Sequence, residues 1–242
     1  MKGDSGGGRW IEVSPVRFPG WIGDFGTRHG ATREAPLAMA ASRAGGAAGE
    51  VSVIFVAPDG ALARCHPPFP GYSEQIGLVA SESASAIAAH ALAHRTVGVL
   101  LVRLGGYAVG VFTGLPPRLA SSKVGTRPVH GRSAAGGWSQ QRFARRRENQ
   151  AATALQAAAD AAAEVFGRYG PGGLDAVVLG GDKRSAAGLR GDARLAQYLA
   201  RASGRFLTVP DPRLAVLRET PRAFLAFRIR LTEPESVGPA RG

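Results

Sequence analysis

Apolar residues recur along this chain with a period near two in some stretches and near 3.6 in others, and each change of period marks a change of element. Val51-Ser-Val-Ile-Phe-Val56 is a β-branched run closed by Pro58-Asp-Gly60, a strand followed by a turn. Leu62–Cys65 is the returning strand, and Pro67-Pro-Phe-Pro-Gly71 reads as a loop. Val97–Arg103 is a buried type of strand that Gly105-Gly106 turns into Tyr107–Thr113; Leu115–Lys123 continues past Pro116-Pro117 as an edge strand. From Ser139 to Tyr169, Phe143, Ala151, Leu155, Ala158, Ala162, Val165, Phe166 and Tyr169 form a helical stripe, which Gly170-Pro-Gly-Gly173 ends.

The remaining signals are shorter. A strand and then helical turns around Phe18–Phe25 open the chain, a short helix is expected over Glu34–Arg43, and an Ala-rich helix over Ser83–His94. Later come a strand at Leu174–Leu179, a helix at Asp192–Ala202, a strand at Arg205–Val209, a helix at Arg213–Arg218 and a last strand at Ala223–Leu231. Strands alternating with helices after a first hairpin predict an α/β fold with a mixed β-sheet and flanking helices. Residues 1–8 read as a flexible lead, 9–95 as an N-terminal α/β part, integral to the same sheet or a separate adaptor, 96–232 as the principal domain and 233–242 as a tail. Val124–Gly137 lacks any apolar period and reads as a long exposed loop; loops of that length inside a domain are usually functional or disordered.

Charge changes this picture. The 242 residues carry a net charge of +12, and from Ser83 to Arg147 there are ten Lys or Arg and no Asp or Glu. Only Lys2, Lys123 and Lys183 are lysines, as GC-rich coding would give, but a coding bias does not clear acids from 65 consecutive residues. A partner bearing phosphates is implied, nucleic acid first among them. One cysteine, Cys65, rules out a disulfide framework or a cysteine-based zinc site within the chain. With neither an apolar leader at the N-terminus nor an uninterrupted apolar run of membrane-spanning length, a cytoplasmic, monomeric protein without membrane contact is expected.

Candidate chemistry concentrates where loop meets helix. Gly136-Gly-Trp-Ser-Gln-Gln141 runs into Arg142-Phe-Ala-Arg-Arg-Arg147. Glycines admit backbone shapes closed to other residues and let the chain approach a ligand. A glutamine amide donates and accepts without carrying charge. Together such groups can hold a water against an ester carbonyl while N–H groups stabilise the developing oxyanion. Arg142, Arg145, Arg146 and Arg147, with Lys123, Arg127 and Arg132 upstream, are candidates for phosphate contact, since a guanidinium pairs with phosphate in a planar fork.

These motifs resemble the catalytic-loop region of the Vms-like release factor family, and most of all its actinobacterial branch. The resemblance runs from the Val97–Thr113 hairpin through the basic run Ser121–His130, the long helix and the Val177-Val-Leu-Gly-Gly181 strand, roughly 95–232. It implies kinship with the GGQ-bearing middle domain of eukaryotic class I release factors and an RNase H-like fold. It further implies entry of the loop into the peptidyl-transferase centre of the large ribosomal subunit, contact with the acceptor end of peptidyl-tRNA, and release of the nascent peptide. On that likeness Gly136, Gly137 and Gln140 take the loop roles, with Gln141 as the alternative glutamine, because Trp138 and Ser139 separate the glycines from the first glutamine. Ser139 standing just before Gln140 favours Gln140. No cofactor or metal is implied.

Other readings are weaker. Gly137-Trp-Ser-Gln-Gln141 lacks the second glycine of a nucleophile elbow. His90 and His94 stand four apart but lack a His-Glu-x-x-His pattern or a third ligand. Gly180-Gly-Asp-Lys183 lacks phosphate-loop spacing, and the cationic stretch lacks the carboxylate pair of two-metal phosphodiester chemistry. Cleavage of tRNA near its 3′ end, or RNA and ribosome binding without catalysis, are the rival readings of the same cationic loop.

Overall fold

Two five-stranded sheets organise the chain. The computed structural model describes residues 8–31, 38–43, 51–69, 80–103, 105–126, 139–170 and 172–234. In chain order the first elements are β1 (Arg9–Val13), α1 (Phe18–Arg28), β2 (Ala38–Arg43), β3 (Val51–Val56), β4 (Leu62–His66) and α2 (Ala80–Ala91). There follow β5 (Thr96–Arg103), β6 (Gly106–Thr113), β7 (Arg118–Thr126), α3 (Ser139–Gly167), β8 (Ala176–Gly181) and α4 (Lys183–Gly188). After a 3-10 turn at Leu189–Gly191 come α5 (Ala196–Leu199), β9 (Ala202–Leu207), α6 (Leu214–Leu225) and β10 (Phe227–Thr232). The chain divides into two units, one made of Met1–Ala93 with Leu225–Gly242 and the other of His94–Phe224.

The first unit holds an antiparallel sheet in the order β1-β10-β4-β3-β2. Alternation decides which side is core: Val53 and Phe55, Ala63 and Cys65, and Phe227, Ile229 and Leu231 are buried with Phe18, Ile22 and Phe25 of α1 and Ala84, Ile87, Ala88 and Ala91 of α2. Phe18 stacks on Phe227 with ring centroids 4.0 Å apart. Desolvation pushes the Cys65 thiol well above its ordinary range, so it packs as an inert apolar group. Residues 38–43 form a strand where a helix was expected over Glu34–Arg43. Alanine's helix propensity yields there to six register positions of pairing with β3. Phe227–Thr232, grouped in the sequence reading with residues 96–232, pairs between β1 and β4.

The second unit carries the mixed sheet, in the order β7-β6-β5-β8-β9. β5, β6 and β7 form an antiparallel meander, and β8 and β9 extend it in parallel from the other side of β5. This is the RNase H-like arrangement of a three-stranded meander continued by parallel strands. Helix α3 packs on one face, bringing Ala158, Ala162, Val165 and Phe166 against Val109, Val111, Leu100 and Val177. Helix α6 covers the other, with Phe224 edge-on to Phe112 at 5.7 Å. The helix expected over Asp192–Ala202 is confined to α5, since Ala202 already opens β9. The helix expected over Arg213–Arg218 runs on through Pro221 to Leu225, so the last strand starts later than Ala223. Proline removes the amide that would have bonded the Leu217 carbonyl, and the Thr220 hydroxyl donates to that oxygen instead at 2.7 Å. No helix among the described residues is long and apolar enough to cross a membrane.

Candidate nucleic-acid interface

β7 and α3 carry the candidate residues that the structure describes, and the contacts between the two elements fix the direction of the helix. On β7, Ser121 and Lys123 point to the same side, as alternate strand residues must. Ser121 Oγ lies 3.2 Å from the Tyr169 hydroxyl, and Lys123 forms an ion pair with Glu164. Going forward along β7, from 121 to 123, therefore means going backward along α3, from 169 to 164. The end of β7 and the start of α3 point the same way. From Lys123 the strand has three residues left to Thr126, about 10 Å at strand rise. From Glu164 the helix has 25 residues back to Ser139, about 37 Å at helical rise. A straight α3 thus overshoots the end of its supporting strand by about 27 Å.

The C-terminal half of α3 is the anchor. Leu155 packs against the core formed by Ala158, Ala159, Ala161, Ala162, Val165 and Phe166, and Phe166 meets Tyr198 at 5.5 Å between rings. Polar links brace the same half. Arg194 bonds Asp160 at 2.8 Å and Asp192 at 2.7 Å, and Arg168 bonds Glu164 at 2.9 Å one turn away. Hydrogen bonds to Arg194 hold Asp160 and Asp192 below the usual carboxylate range. The bond from Lys123 likewise lowers Glu164, and Glu164 raises Lys123. Gly125 completes the β7 face. A Cβ there would lie 2.5 Å from the Tyr107 ring, which packs over it.

The sequence-predicted residues distribute unevenly over this frame. Gln140 and Gln141 occupy the first turn of α3, and Arg142, Arg145, Arg146 and Arg147 the next positions of the same helix. Gly136, Gly137, Arg127 and Arg132 lie outside the described residues. Val124, Gly125 and Thr126, read from sequence as the start of a loop, belong to β7, where their pairing with β6 extends the strand. Lys123 sits on that strand, tied to Glu164. Among the residues that set the helix in place, sequence reasoning missed Glu164 and Arg168, and it read Tyr169 only as an apolar stripe position and Ser121 only as part of a basic run. Their only signal was the i, i+2 spacing of Ser121 and Lys123 opposite a polar stripe of α3.

The end of the sheet at which β7 stops is also where β5 and β8 stop, and it bears on nuclease chemistry. β5 contains no acid; of the two that flank β8, Asp175 just before it accepts from the Thr96 amide at 2.7 Å, and the other is Asp182, just beyond its end. That carboxylate caps α4, accepting from the amides of Arg184 (3.2 Å) and Ser185 (3.1 Å) and from the Ser185 hydroxyl (2.7 Å). The Ser185 bonds foremost hold it below its ordinary range. Its lone pairs serve a helix cap. His94, which the i, i+4 reading set on one helix with His90, lies beyond the end of α2 at Ala91.

A family model described as the Actinobacteria/chloroflexi VLRF1 release factor matches residues 95–230, more than half of the chain, including the Gly-Gly-Trp-Ser-Gln-Gln segment and all of α3. No curated protein matches the chain. Among solved structures the chain is similar to the archaeal translation termination factor aRF1, at 10% identity and a TM-score of 0.37, over 71% of this chain and 51% of that one. It is also similar to a protein described only as archaeal, at 12% identity and a TM-score of 0.36, over 69% of this chain and 48% of the other. The chain spans about half the length of these proteins.

Proposed function

This chain belongs to the actinobacterial and chloroflexi VLRF1 release-factor family, and on that premise we propose that it is a peptidyl-tRNA hydrolase that rescues stalled large ribosomal subunits in the cytoplasm. Water adds to the carbonyl carbon of the ester joining the peptide to the terminal ribose. The carbon–oxygen bond to the ribose then breaks, leaving a free peptide carboxyl and a tRNA hydroxyl that has gained a proton. The observation that carries this reading is the position of Gly-Gly-Trp-Ser-Gln-Gln at the start of a 29-residue helix that outruns its supporting strand.

Each part has a role on this reading. Gly136 and Gly137 let the backbone come close to the ester. Gln140 orients the water, with Gln141 next to it. The first amides of α3 lack helical partners and lie at the positive end of the helix dipole, which suits a carbonyl oxygen gaining charge. Arg142, Arg145, Arg146 and Arg147, with Arg127 and Arg132, neutralise phosphates of ribosomal RNA and of the tRNA acceptor end. Lys123 joins them only by leaving or sharing Glu164. The RNA surroundings supply most of the confinement, and the protein acts as a monomer without a cofactor.

The test uses large subunits carrying peptidyl-tRNA and the Gln140→Ala/Gln141→Ala double variant. Release should slow about a hundredfold or more, the scale of a lost proton-positioning group. An unchanged rate with the double variant would leave an RNA-binding module with no catalytic part. Sequencing the tRNA end separates the reactions: an intact terminal adenosine supports ester hydrolysis, and a peptide carrying a nucleotide remnant overturns it. Binding to the subunit should weaken steeply as salt rises, because neutralised phosphates take back their counterions.

A further inference from the structure

The sheet of the first unit has one face under α1 and α2 and another on which, among the described residues, no helix of that unit packs. On β1, β4 and β10 the residues of this second face alternate with the core ones: Trp10 and Glu12, Arg64 and His66, Arg228 and Arg230. Register brings them together, since Trp10 stands opposite Arg230, Arg230 opposite Arg64, and Arg228 opposite His66. The Arg228 guanidinium carbon lies 4.6 Å from the centre of the Trp10 ring, and the His66 ring 5.5 Å from it at a tilt of 44°. Arg64 also makes a long hydrogen bond to Ser52, at 3.5 Å. Trp10 keeps 49% of its surface exposed, an unusual state for a tryptophan in a strand.

We propose that this face is a binding platform for single-stranded RNA, separate from the loop and helix of the second unit. An exposed aromatic ring on a sheet is the feature on which unpaired bases stack, and arginines beside it meet the phosphates between those bases. The pairing of Trp10 with Arg228 suits that use. The guanidinium holds the ring in one orientation and itself offers a second flat surface for a base. The arginines favour an anionic occupant over an apolar peptide strand, and the width of three strands fits roughly two or three nucleotides. The first unit thereby gains a role that neither charge counting nor the family motif assigns, because its arginines come from opposite ends of the chain. The platform stands whether or not the loop hydrolyses esters.

The experiment measures binding of a fluorescein-labelled twelve-residue oligouridine to the full chain. Arg142, Arg145, Arg146 and Arg147 are changed to Gln throughout, so that the helix cations do not mask the sheet. Trp10→Ala should weaken the remaining binding about tenfold, and Trp10→Leu likewise, while Trp10→Phe stays within about threefold. A duplex of the same length should bind weakly and be indifferent to Trp10. Equal binding by Trp10→Ala and its parent overturns the proposal, as does an equal loss of heparin binding, which would make the face a general polyanion surface. If the Trp10 variants fail to fold, ultraviolet crosslinking of the unaltered chain to the same RNA decides. Adducts within Arg9–Val13 or Arg228–Arg230 support the platform, and adducts only elsewhere overturn it. The Gln140→Ala/Gln141→Ala variant should bind this RNA as the unaltered chain does, so that failure of peptide release and failure of the platform are read separately.

Discussion

The two sheets use the same number of strands and put opposite surfaces to work. In the second unit, β5, β6 and β8 read as nearly continuous buried runs, because α3 lies on one face and α6 on the other. Helices thus cover both faces of those central strands, and on the function proposed above the chemistry is carried away from the sheet, on the long part of α3 that outruns β7. In the first unit β4 and β10 alternate buried and exposed residues, because α1 and α2 lie on one side only. On the other side of β1 and β10, Trp10, Glu12 and Arg228 stay exposed. Mixed, doubly covered sheets make stiff mounts, and antiparallel, singly covered sheets make surfaces.

The strongest test of this division removes one aromatic from each core. Phe227 and Phe166 are both fully buried. Phe227→Ala and Phe166→Ala should each cost about 3–5 kcal/mol. The consequences should differ by location when followed by amide hydrogen exchange. Phe227→Ala should speed exchange in β1, β4 and β10 and leave β5 and β8 protected, while Phe166→Ala should do the reverse. If either variant speeds exchange equally in both sheets, the chain behaves as a single cooperative body and the contrast between mount and surface fails.

How far these features can be read from sequence follows from how local their causes are. The β3–β4 and β5–β6 hairpins and the anchored half of α3 were legible, because a turn dipeptide or an i, i+4 stripe lies within a dozen residues of each. β2 was misread because Ala38–Arg43 has helical composition and a strand partner that composition does not reveal. α6 was cut short because proline normally ends a helix, and the Thr220 hydroxyl that repairs the break is a contact no pattern encodes. Gln140 and Gln141 were singled out by motif, and the structure sets both in the first turn of α3. The acid facing Lys123 was missed because Glu164 lies outside the acid-free stretch and meets it only through folding. Trp10 and Arg228 are more than two hundred residues apart in sequence and adjacent in the sheet.

A smaller effect sharpens the reading of Asp182. As a helix cap, its replacement by Ala should cost about 1–2 kcal/mol, measured by denaturant unfolding, and should leave peptide release on large subunits within about twofold. Asp182→Asn or Asp182→Ser should recover most of the stability, since either side chain can accept from the Ser185 amide. A loss of release far beyond the loss of stability would return the carboxylate to the chemistry and revive nuclease cleavage.

The smallest effect concerns the brace between β7 and α3. Glu164 is held below its ordinary value of 4.5 by the hydrogen bond from Lys123, and Lys123 is held above its ordinary 10.5 by Glu164. For the carboxylate, a lowered folded value means that its stabilisation is complete above 4.5 and fades as pH falls through the folded value. For the ammonium the stabilisation is complete below 10.5 and fades as pH rises through its raised value. The pair should therefore act across the neutral range and vanish at both ends. Both side chains are about half exposed, so solvent screens the pair and Glu164→Gln should lower the unfolding midpoint at pH 7 by less than Asp182→Ala does. At pH 3 the difference between Glu164→Gln and the unaltered chain should shrink. The same substitution frees Lys123 for phosphate. If Lys123 joins the cationic surface, affinity for large subunits should rise slightly in Glu164→Gln and not in Glu164→Gln/Lys123→Gln. Equal affinities in the two variants would make Lys123 a brace of the helix with no part in RNA contact.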